Sequence, residues 1–413
     1  MKERKPKKEK FNYNLSNQEL LEKMAEPPKE GEREQEVDLI TRRILEDKKK
    51  KKKLFIKLLF ILVLCGLSAF LMWELGKSLG QGDAVSFQHM WQNMNTRYFL
   101  FAIGMLVLML LFETLKYVFL IRVIHGKFMP KTSLKVMLLG KYYDYITPAS
   151  TGGQPFQVVY LHNKGIPVGK ATAVPLVRYF VSMLVWCVFG IVFMIFFPDI
   201  LKLLPDQGLA KVIKVVAWVS VGCNLLLPIA IIVVSAFPKM GKKPILWFVK
   251  IGHKLHLIKN YYAAAYKCIK AVEEYRQALK MLWGKFYNTV ILVVICLAEI
   301  ASTAVFPYFI VVAIGGVEPS VRLAMEIMAL NIIVQFATCF IPTPGGTGFA
   351  ETTFTFVFSG IPLATNVLFW IVLLWRVCTY YIYIVVGIFI NIYEVARDYW
   401  RAHRERKRWE KES

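Results

Sequence analysis

Two stretches of the chain decide its architecture: TPASTG at residues 147–152 and TPGGTG at residues 343–348. Both follow the pattern T-P-x-x-T-G, and they begin 196 positions apart (343 − 147). Each lies in an apolar segment, the first near Thr132–Leu161 and the second near Leu323–Gly360. Proline and glycine interrupt helices, and irregular backbone at membrane depth is found only where it is buried in protein or lines a cavity. We therefore predict that each segment is a re-entrant helical hairpin.

The composition of the 413-residue chain points to a membrane protein. Hydrophobic residues make up 56% of the sequence, the mean hydropathy is +0.45, and the formal net charge is +23. Long apolar runs alternate with basic stretches, as in chains whose helices cross a bilayer. Because the basic residues flank these runs and form no separate domain, we expect no nucleic-acid partner. The predicted fold is an all-α polytopic membrane protein with about six full spans, near Leu54–Leu75, Tyr98–Val123, Ala171–Phe197, Val212–Phe237, Phe286–Ile314 and Asn366–Tyr393.

Charge at the ends of the spans predicts the orientation of the chain. The run Lys48–Lys53 precedes the first span, and the residues after the last span are again basic. Positive charge accumulates on the cytoplasmic side of membrane proteins. We therefore expect a multi-pass protein of the cell membrane with both termini in the cytoplasm. It would consist of a charged tail at 1–53, a transmembrane domain at 54–393 and a basic tail at 394–413, with cytoplasmic interfacial helices at 238–285.

Charged residues on both sides of the two stretches support an internal repeat. Arg178 interrupts an apolar span 31 positions after the first stretch (178 − 147), and Arg376 does so 33 positions after the second (376 − 343). Upstream, Glu113 lies in one preceding span and Glu299 in the other. Each half then consists of an acidic span, a broken hairpin and an arginine span, and the two halves have opposite orientations. This is the arrangement of an inverted-repeat transporter, with halves at about 98–197 and 286–393.

The repeat also predicts where a substrate binds. In such folds the ends of broken helices meet near the middle of the bilayer, where free N–H groups and the helix dipole hold anionic groups. Glycines allow close approach of the backbone, threonines add hydroxyl groups, and the two arginines suit phosphate. The candidate substrate-binding residues are Thr147, Pro148, Thr151, Gly152, Gly153, Gln154, Arg178, Glu299, Thr343, Pro344, Gly345, Gly346, Thr347, Gly348, Glu351 and Arg376.

The charged residues within spans also have a purely structural interpretation. A charge at the centre of a span costs about 2.5–3.5 kcal/mol on insertion scales, so each one needs a reason. Mutual pairing that holds helices together is one such reason for Glu113, Arg178, Glu299, Glu351 and Arg376. Lys116 and Arg122 are expected to lie near a membrane face and to extend their ammonium or guanidinium groups into water. No spacing of residues indicates a metal site, a cofactor or a catalytic constellation.

Two extended motifs resemble a known family. The first is ITPASTGGQP at residues 146–155, followed by Arg178, and the second is IPTPGGTG at residues 341–348, followed by Glu351 and Arg376. They resemble the two signatures of the lysylphosphatidylglycerol synthase transmembrane region, and the resemblance covers about 54–393.

The resemblance implies that the membrane domain is a lipid flippase. In bifunctional members of the family, this region moves lysylphosphatidylglycerol to the outer leaflet and confers resistance to cationic peptides, and a soluble transferase domain follows it. Here the sequence ends 20 residues after the last predicted span (413 − 393), so we expect a stand-alone member without transferase activity. Ala149-Ser150 and Phe349 stand where the family often has glycine, so the lipid need not be lysylphosphatidylglycerol.

The sequence therefore predicts a flippase-like transporter of an anionic or aminoacylated phospholipid, or of a polyprenyl-linked lipid. Three alternatives stay open at this point: a lysyltransferase of the same family, a secondary transporter of a small solute, and a scaffold that recruits partners through its basic loops. Membrane lipids are the expected partners. A homo-oligomer and a separate lipid-modifying enzyme are compatible with this prediction.

Overall fold

The computed structural model describes residues 87–147, 152–197, 206–236, 284–339, 343–363 and 365–394, together with shorter pieces elsewhere. The chain divides into two units. One comprises residues 1–59 and 237–272, of which isolated positions are described, and the other comprises residues 60–236 and 273–413 and contains all the helices below. Apart from isolated positions, the predicted span Leu54–Leu75, the predicted interfacial segment 238–285 and both tails lie outside the described residues.

Every regular element in the described ranges is helical. In chain order the helices are α1 (Phe87–Asn93), α2 (Thr96–His125), α3 (Pro130–Ile146), α4 (Gly153–Asn163), α5 (Val168–Phe196), α6 (Gln207–Ala236), α7 (Phe286–Ile314), α8 (Val321–Thr338), α9 (Phe349–Phe358) and α10 (Thr365–Arg376). Helix α10 continues through a π-helical turn at Val377–Tyr381 and ends near Glu394. Short 3₁₀ turns lie at Ile200–Leu203 and Pro344–Gly346.

The helices begin and end where the local sequence favours it. Gly126 closes α2 in the left-handed conformation, with φ +79°, and its N–H donates to Arg122 O at 3.0 Å. Pro130 opens α3 at a position where a missing N–H costs nothing. Ser320 caps α8, because its hydroxyl oxygen accepts from the Leu323 N–H at 3.1 Å.

The protein is an all-α polytopic membrane protein. Among the described residues, six helices are long and apolar enough to cross a bilayer: Thr96–His125, Val168–Phe196, Gly208–Leu226, Phe286–Ile314, Val321–Thr338 and Val367–Glu394. Five of them match predicted spans. The large apolar side chains that point outward, such as Leu100 and Val107 on α2 and Val294 on α7, suit a hydrocarbon environment.

The first broken segment is a pair of antiparallel helices. Helices α3 and α4 pack against each other, with the ring of Tyr143 stacked on Phe156 at 4.0 Å between centroids. Nearer the start of α3, the Gln157 side chain of α4 donates to Val136 O at 3.5 Å. The break between the helices falls on the first T-P-x-x-T-G stretch, as predicted. Whether this hairpin re-enters one face of the membrane stays a prediction.

The first helix of the second broken segment could cross a bilayer by its length and composition. Helices α8 and α9 pack together on either side of the second T-P-x-x-T-G stretch. With 18 residues, α8 is about 27 Å long at about 1.5 Å per residue, which is close to the thickness of the hydrocarbon core. Helix α8 therefore also satisfies the criterion for a span, and a re-entrant path for this second segment likewise stays a prediction.

The first helices of the two halves pack against each other. Helices α2 and α7 make the most extensive helix contact among the described residues. They run antiparallel: Asn95 N–H donates to Ala313 O at 2.8 Å at one end, and Lys116 lies beside Glu299 further along. An inverted repeat predicts such an antiparallel arrangement of corresponding helices.

Candidate functional site

The first T-P-x-x-T-G turn is held by side chains that bind its own backbone. Asp144, at the end of α3, accepts a hydrogen bond from the Gly153 N–H, the first residue of α4, at 2.8 Å. The Thr147 hydroxyl donates to Tyr143 O at 2.7 Å and its oxygen accepts from the Gly152 N–H at 2.9 Å. Asp144 thus caps α4 from the neighbouring arm of the hairpin. Of the predicted site residues in this turn, Pro148 and Thr151 lie outside the described residues.

The second turn is held by a buried ion pair. The Gly348 N–H donates to Glu351 Oε2 at 2.8 Å, and the other carboxylate oxygen accepts from Arg376 Nε at 2.8 Å. Both terminal nitrogens of Arg376 lie 3.4 Å from Gly345 O. Glu351 and Arg376 are only 3% and 4% exposed. The pair therefore links α9, α10 and the turn between α8 and α9.

The second turn also contacts the first half of the molecule. It packs against α3, and Tyr380 of the π-helical turn contacts both. The Tyr380 ring packs against Tyr145 of α3 at 5.1 Å between centroids, with the ring planes tilted by 53°, and the Thr347 hydroxyl lies 3.4 Å from the Tyr380 hydroxyl. The Thr347 hydroxyl also donates to Pro344 O at 2.6 Å. Two of the four threonines predicted to bind a ligand, Thr147 and Thr347, thus make hydrogen bonds within or beside their own turns.

A second charged network joins three helices near the middle of α2. Arg178 of α5 donates to Glu113 Oε1 at 2.7 Å, and its guanidinium lies 5.3 Å from the centre of the Tyr117 ring. Lys116 forms an ion pair with Glu113 Oε2 and donates to Glu299 Oε2 of α7 at 3.5 Å. The charges alternate along the chain of contacts Arg178, Glu113, Lys116 and Glu299. Such pairing offsets the cost of burying charges in an apolar environment.

The prediction for Lys116 is wrong. Its side chain is 1% exposed and is enclosed between two carboxylates, so it does not reach water at a membrane face. Its position three residues after Glu113 places both side chains on one face of α2, and this spacing was the signal for the pair. Arg122, for which the same behaviour was predicted, is exposed.

The charged network borders a central cavity of about 230 Å³. Seven helices contribute to its wall, most of them through residues three or four apart that share a helix face. The lining residues are Met109 and Glu113 of α2, Lys141 and Tyr145 of α3, Met183 and Trp186 of α5, Asn224 of α6, Glu299 and Thr303 of α7, Gln335, Phe336 and Cys339 of α8, and Thr379 and Tyr383 of α10. Both halves of the predicted repeat therefore meet at this cavity.

The cavity contains few of the residues predicted from the repeat. Of the predicted site residues in the described part of the chain, Glu299 alone lines it. Gln154 lies half-buried in the first turn of α4, and Thr343 is exposed. Sequence reasoning missed Tyr145, Thr303 and several other polar lining residues, because single polar residues in apolar helices carry no motif. The two T-P-x-x-T-G turns instead hold helices of the cavity wall in position.

A π-helical turn lies in the part of the cavity wall that α10 and its continuation provide. Thr379 lies within the π-helical turn that follows Arg376, and its hydroxyl donates to Trp375 O at 2.7 Å. Turns of this kind inside α-helices are frequent at functional sites.

Among the described residues, no group of three or more histidine, cysteine or acidic side chains is placed to hold a metal ion.

Comparison with known families shows the family of this chain. A sequence profile described as the lysylphosphatidylglycerol synthase TM region matches residues 54–387. The chain belongs to this family. The match spans both T-P-x-x-T-G turns, the charged network and every residue that lines the central cavity. The comparison with curated proteins finds no match. Residues 54–387 are thus a helical membrane domain related to the membrane part of lysylphosphatidylglycerol synthases.

The cavity provides this TM region with a polar environment among apolar helices. Carboxylate, ammonium, amide and hydroxyl groups line the same cavity, so it can hold a polar group that carries charge of either sign. Ionisable residues within membrane spans commonly mark the path of a substrate.

Proposed function

We propose that this protein moves phospholipids between the two leaflets of the cell membrane. In this proposal the headgroup passes through the central cavity, while the acyl chains stay in the surrounding bilayer. The barrier to unassisted movement is the cost of taking a charged headgroup through hydrocarbon. A cavity with charges of both signs lowers that barrier because it replaces part of the headgroup's hydration.

One observation supports this proposal above the others. The central cavity combines Glu113, Lys141 and Glu299 with uncharged polar side chains, and it lies where both halves of the repeat meet. Transporters built from inverted repeats bind their substrates at this interface, and the two halves move relative to one another around it.

Glu299 is the proposed contact for a cationic or hydroxylated headgroup. Its carboxylate lines the cavity, and Lys116, which also pairs with Glu113, is its cationic neighbour. The distance from Lys116 Nζ to Glu299 Oε2 is 3.5 Å, which is longer than an ordinary ion-pair hydrogen bond. A substrate amine or hydroxyl group can therefore approach Glu299 without breaking a short pair. Arg178 was predicted to bind phosphate directly, and we now assign it a positioning role through Glu113.

Arg376 and Glu351 are proposed to hold the second turn. The donors of Arg376 are directed at Glu351 and Gly345 O, so binding phosphate would require this buried cluster to open. Their contribution to transport would be indirect, through the position of α9 and α10. The family's name makes lysylphosphatidylglycerol the first substrate to test, together with unmodified phosphatidylglycerol.

The experiment is leaflet exchange in proteoliposomes. Fluorescent phosphatidylglycerol and its lysyl derivative are reconstituted with the protein, and a membrane-impermeant quencher reports how fast lipid from the inner leaflet reaches the outer one. We expect Glu299→Gln to slow exchange about tenfold or more, since contacts with charged groups contribute about 1.5–3 kcal/mol and about 1.4 kcal/mol corresponds to tenfold. The matched control is Glu326→Gln, which removes a carboxylate paired with the exposed Arg322.

The outcomes separate the proposal from its alternatives. Exchange by the wild-type protein that Glu299→Gln slows and Glu326→Gln leaves unchanged supports the proposal. Protein-dependent uptake of labelled lysine or glycerol phosphate without lipid exchange would favour a transporter of small solutes. Lysyl transfer from charged tRNA to phosphatidylglycerol would favour the lysyltransferase. A folded protein with none of these activities would leave the scaffold as the remaining function.

A further inference from the structure

One cation in the wall of the central cavity forms no ion pair with any carboxylate in the described part of the chain. Lys141 lines the cavity from α3, and within the described ranges no carboxylate lies within ion-pair distance of its ammonium group. The other two cations of this region are paired, because Arg178 contacts Glu113 and Lys116 contacts both Glu113 and Glu299. Lys141 therefore forms no ion pair with the charged network that borders the same cavity.

The surroundings of Lys141 explain why it stays unpaired. Glu113, the acidic group of α2, already contacts two cations. Asp144 is three residues further along α3, but its carboxylate caps α4 through the Gly153 N–H. Helices α6, α8 and α10 contribute uncharged polar groups to the cavity, and Glu299 of α7 is paired with Lys116. The ammonium group lines the cavity and forms no ion pair with a described carboxylate, so its N–H donors are available to an anionic ligand.

The helix face that carries Lys141 is held in place. Tyr145, four residues later, lines the same cavity. Its ring packs against Tyr380 at 5.1 Å and against Tyr383 at 5.7 Å between centroids, so α3 is fixed against α10 from the other half of the repeat. The position of the Lys141 backbone relative to Glu299 is therefore set by the fold, and the two groups present opposite charges to one space.

We infer that Lys141 binds the phosphate of the transported headgroup and makes the cavity selective for phosphodiester lipids. This inference rests on the proposed function. Lysine binds phosphate as a compact cation with three donors, and a charge-assisted contact is about twice as strong as a neutral one. Glu299 then contacts the remainder of the headgroup, and Lys141 contacts the phosphate, which all phospholipids share.

The test compares a lipid with phosphate and a lipid without it. Proteoliposomes contain either fluorescent phosphatidylglycerol or a fluorescent glycosyl diacylglycerol, a neutral lipid with a hydroxylated headgroup. We expect Lys141→Gln to slow phosphatidylglycerol exchange about tenfold, because it removes one contact between opposite charges. Lys141→Arg should retain most of the rate, and glycolipid exchange should be low and unchanged in both variants. Lys127→Gln, at an exposed position between α2 and α3, is the matched control.

Each result decides the inference. A wild-type protein that exchanges both lipids equally fast overturns it, even if Lys141→Gln fails to fold. Equal rates of phosphatidylglycerol exchange in wild type, Lys141→Gln and Lys127→Gln overturn it as well, while leaving the proposed function intact. Exchange of neither lipid contradicts the proposed function itself. Lys141-dependent uptake of labelled inorganic phosphate without lipid exchange would assign the site to soluble phosphate and overturn the assignment to lipid.

Discussion

The two T-P-x-x-T-G turns differ in where their charges come from. In the second turn, Glu351 caps α9 and also pairs with Arg376, so one carboxylate performs both tasks. In the first turn, the cap comes from Asp144, and the corresponding arginine, Arg178, is paired elsewhere, with Glu113. Where the second stretch is followed by Glu351, the first has Pro155 at the equivalent position (147 + 8 against 343 + 8).

This difference gives the two turns different tasks. The second half keeps its acid–base pair within its own turn, where it stabilises the break between α8 and α9. The first half directs its arginine to Glu113, whose carboxylate lines the central cavity, and thereby joins the charged network there. We interpret the second turn as a structural support, while the charges proposed to act on substrate come from Lys141 in the first half and from Glu299 of α7 in the second.

The largest expected effect comes from breaking the pair in the second turn. Glu351→Ala leaves the Arg376 guanidinium buried without its partner and the Gly348 N–H without its acceptor. Removing one partner of a buried pair costs about 3–5 kcal/mol, so we expect a large fall in the thermal unfolding midpoint of the purified protein.

The matched change in the first turn is Asp144→Ala, which removes a cap without isolating a buried charge. Loss of a helix cap costs about 0.5–2 kcal/mol, so the midpoint should fall less than in Glu351→Ala. Equal losses in the two variants would contradict the division of tasks between the turns.

A smaller effect should separate two neighbouring glycines of the second turn. Gly345 and Gly346 both have positive φ, +58° and +67°, so alanine at either position costs about 1–2 kcal/mol of backbone strain. A methyl group on Gly345 would also collide with the ring of Tyr380, which is 1% exposed, whereas on Gly346 it would meet only Ala350, at 3.6 Å. Overpacking adds about 1–3 kcal/mol, so Gly345→Ala should lower the unfolding midpoint clearly more than Gly346→Ala. The same midpoint for both variants would show that Tyr380 does not confine this turn.

The smallest effect is expected from exchanging one residue between the turns. Ser150 has φ +51° and occupies the position that corresponds to Gly346 (147 + 3 against 343 + 3). Glycine tolerates this conformation but loses more entropy on folding, so Ser150→Gly should change stability by less than about 0.5 kcal/mol. The reverse change, Gly346→Ser, should cost about 1 kcal/mol or more. Thermal unfolding of both variants checks this asymmetry, and a marked loss in Ser150→Gly would contradict it.

Much of the fold could be predicted from the sequence. Long apolar runs indicated the spans in the described ranges closely, and α7 has the bounds that were predicted, Phe286–Ile314. The two motif stretches correctly marked breaks between helices, because proline and glycine act locally. Helix α1 was not predicted, since its seven residues, FQHMWQN, carry too few apolar positions to form a pattern. The second broken segment was ambiguous because α8 is long enough to span on its own.

The candidate site was harder to predict than the fold. The motif residues were conspicuous, and their side chains turned out to stabilise the turns, while the cavity is lined by residues scattered over seven helices. Lys141 and Tyr145 are single residues in an apolar segment. Their position on the same cavity as Glu299 depends on how α3 packs against α2 and, through Tyr145, against Tyr380 and Tyr383. Sequence spacing describes one helix at a time, so it could identify the Glu113–Lys116 pair but not the contact of Lys116 with Glu299.

The most direct test of the central claim is to fill the cavity and measure lipid exchange. Gln335 lines the cavity from α8, so Gln335→Trp should occupy the headgroup path, while Gln335→Ala should enlarge it. Val294→Trp adds the same ring to the exposed face of α7, where Val294 is 56% exposed, and serves as the control. We predict that leaflet exchange of fluorescent phosphatidylglycerol is lost in Gln335→Trp and retained in Gln335→Ala and Val294→Trp. Undiminished exchange by a folded Gln335→Trp protein would contradict the claim that the headgroup passes through this cavity.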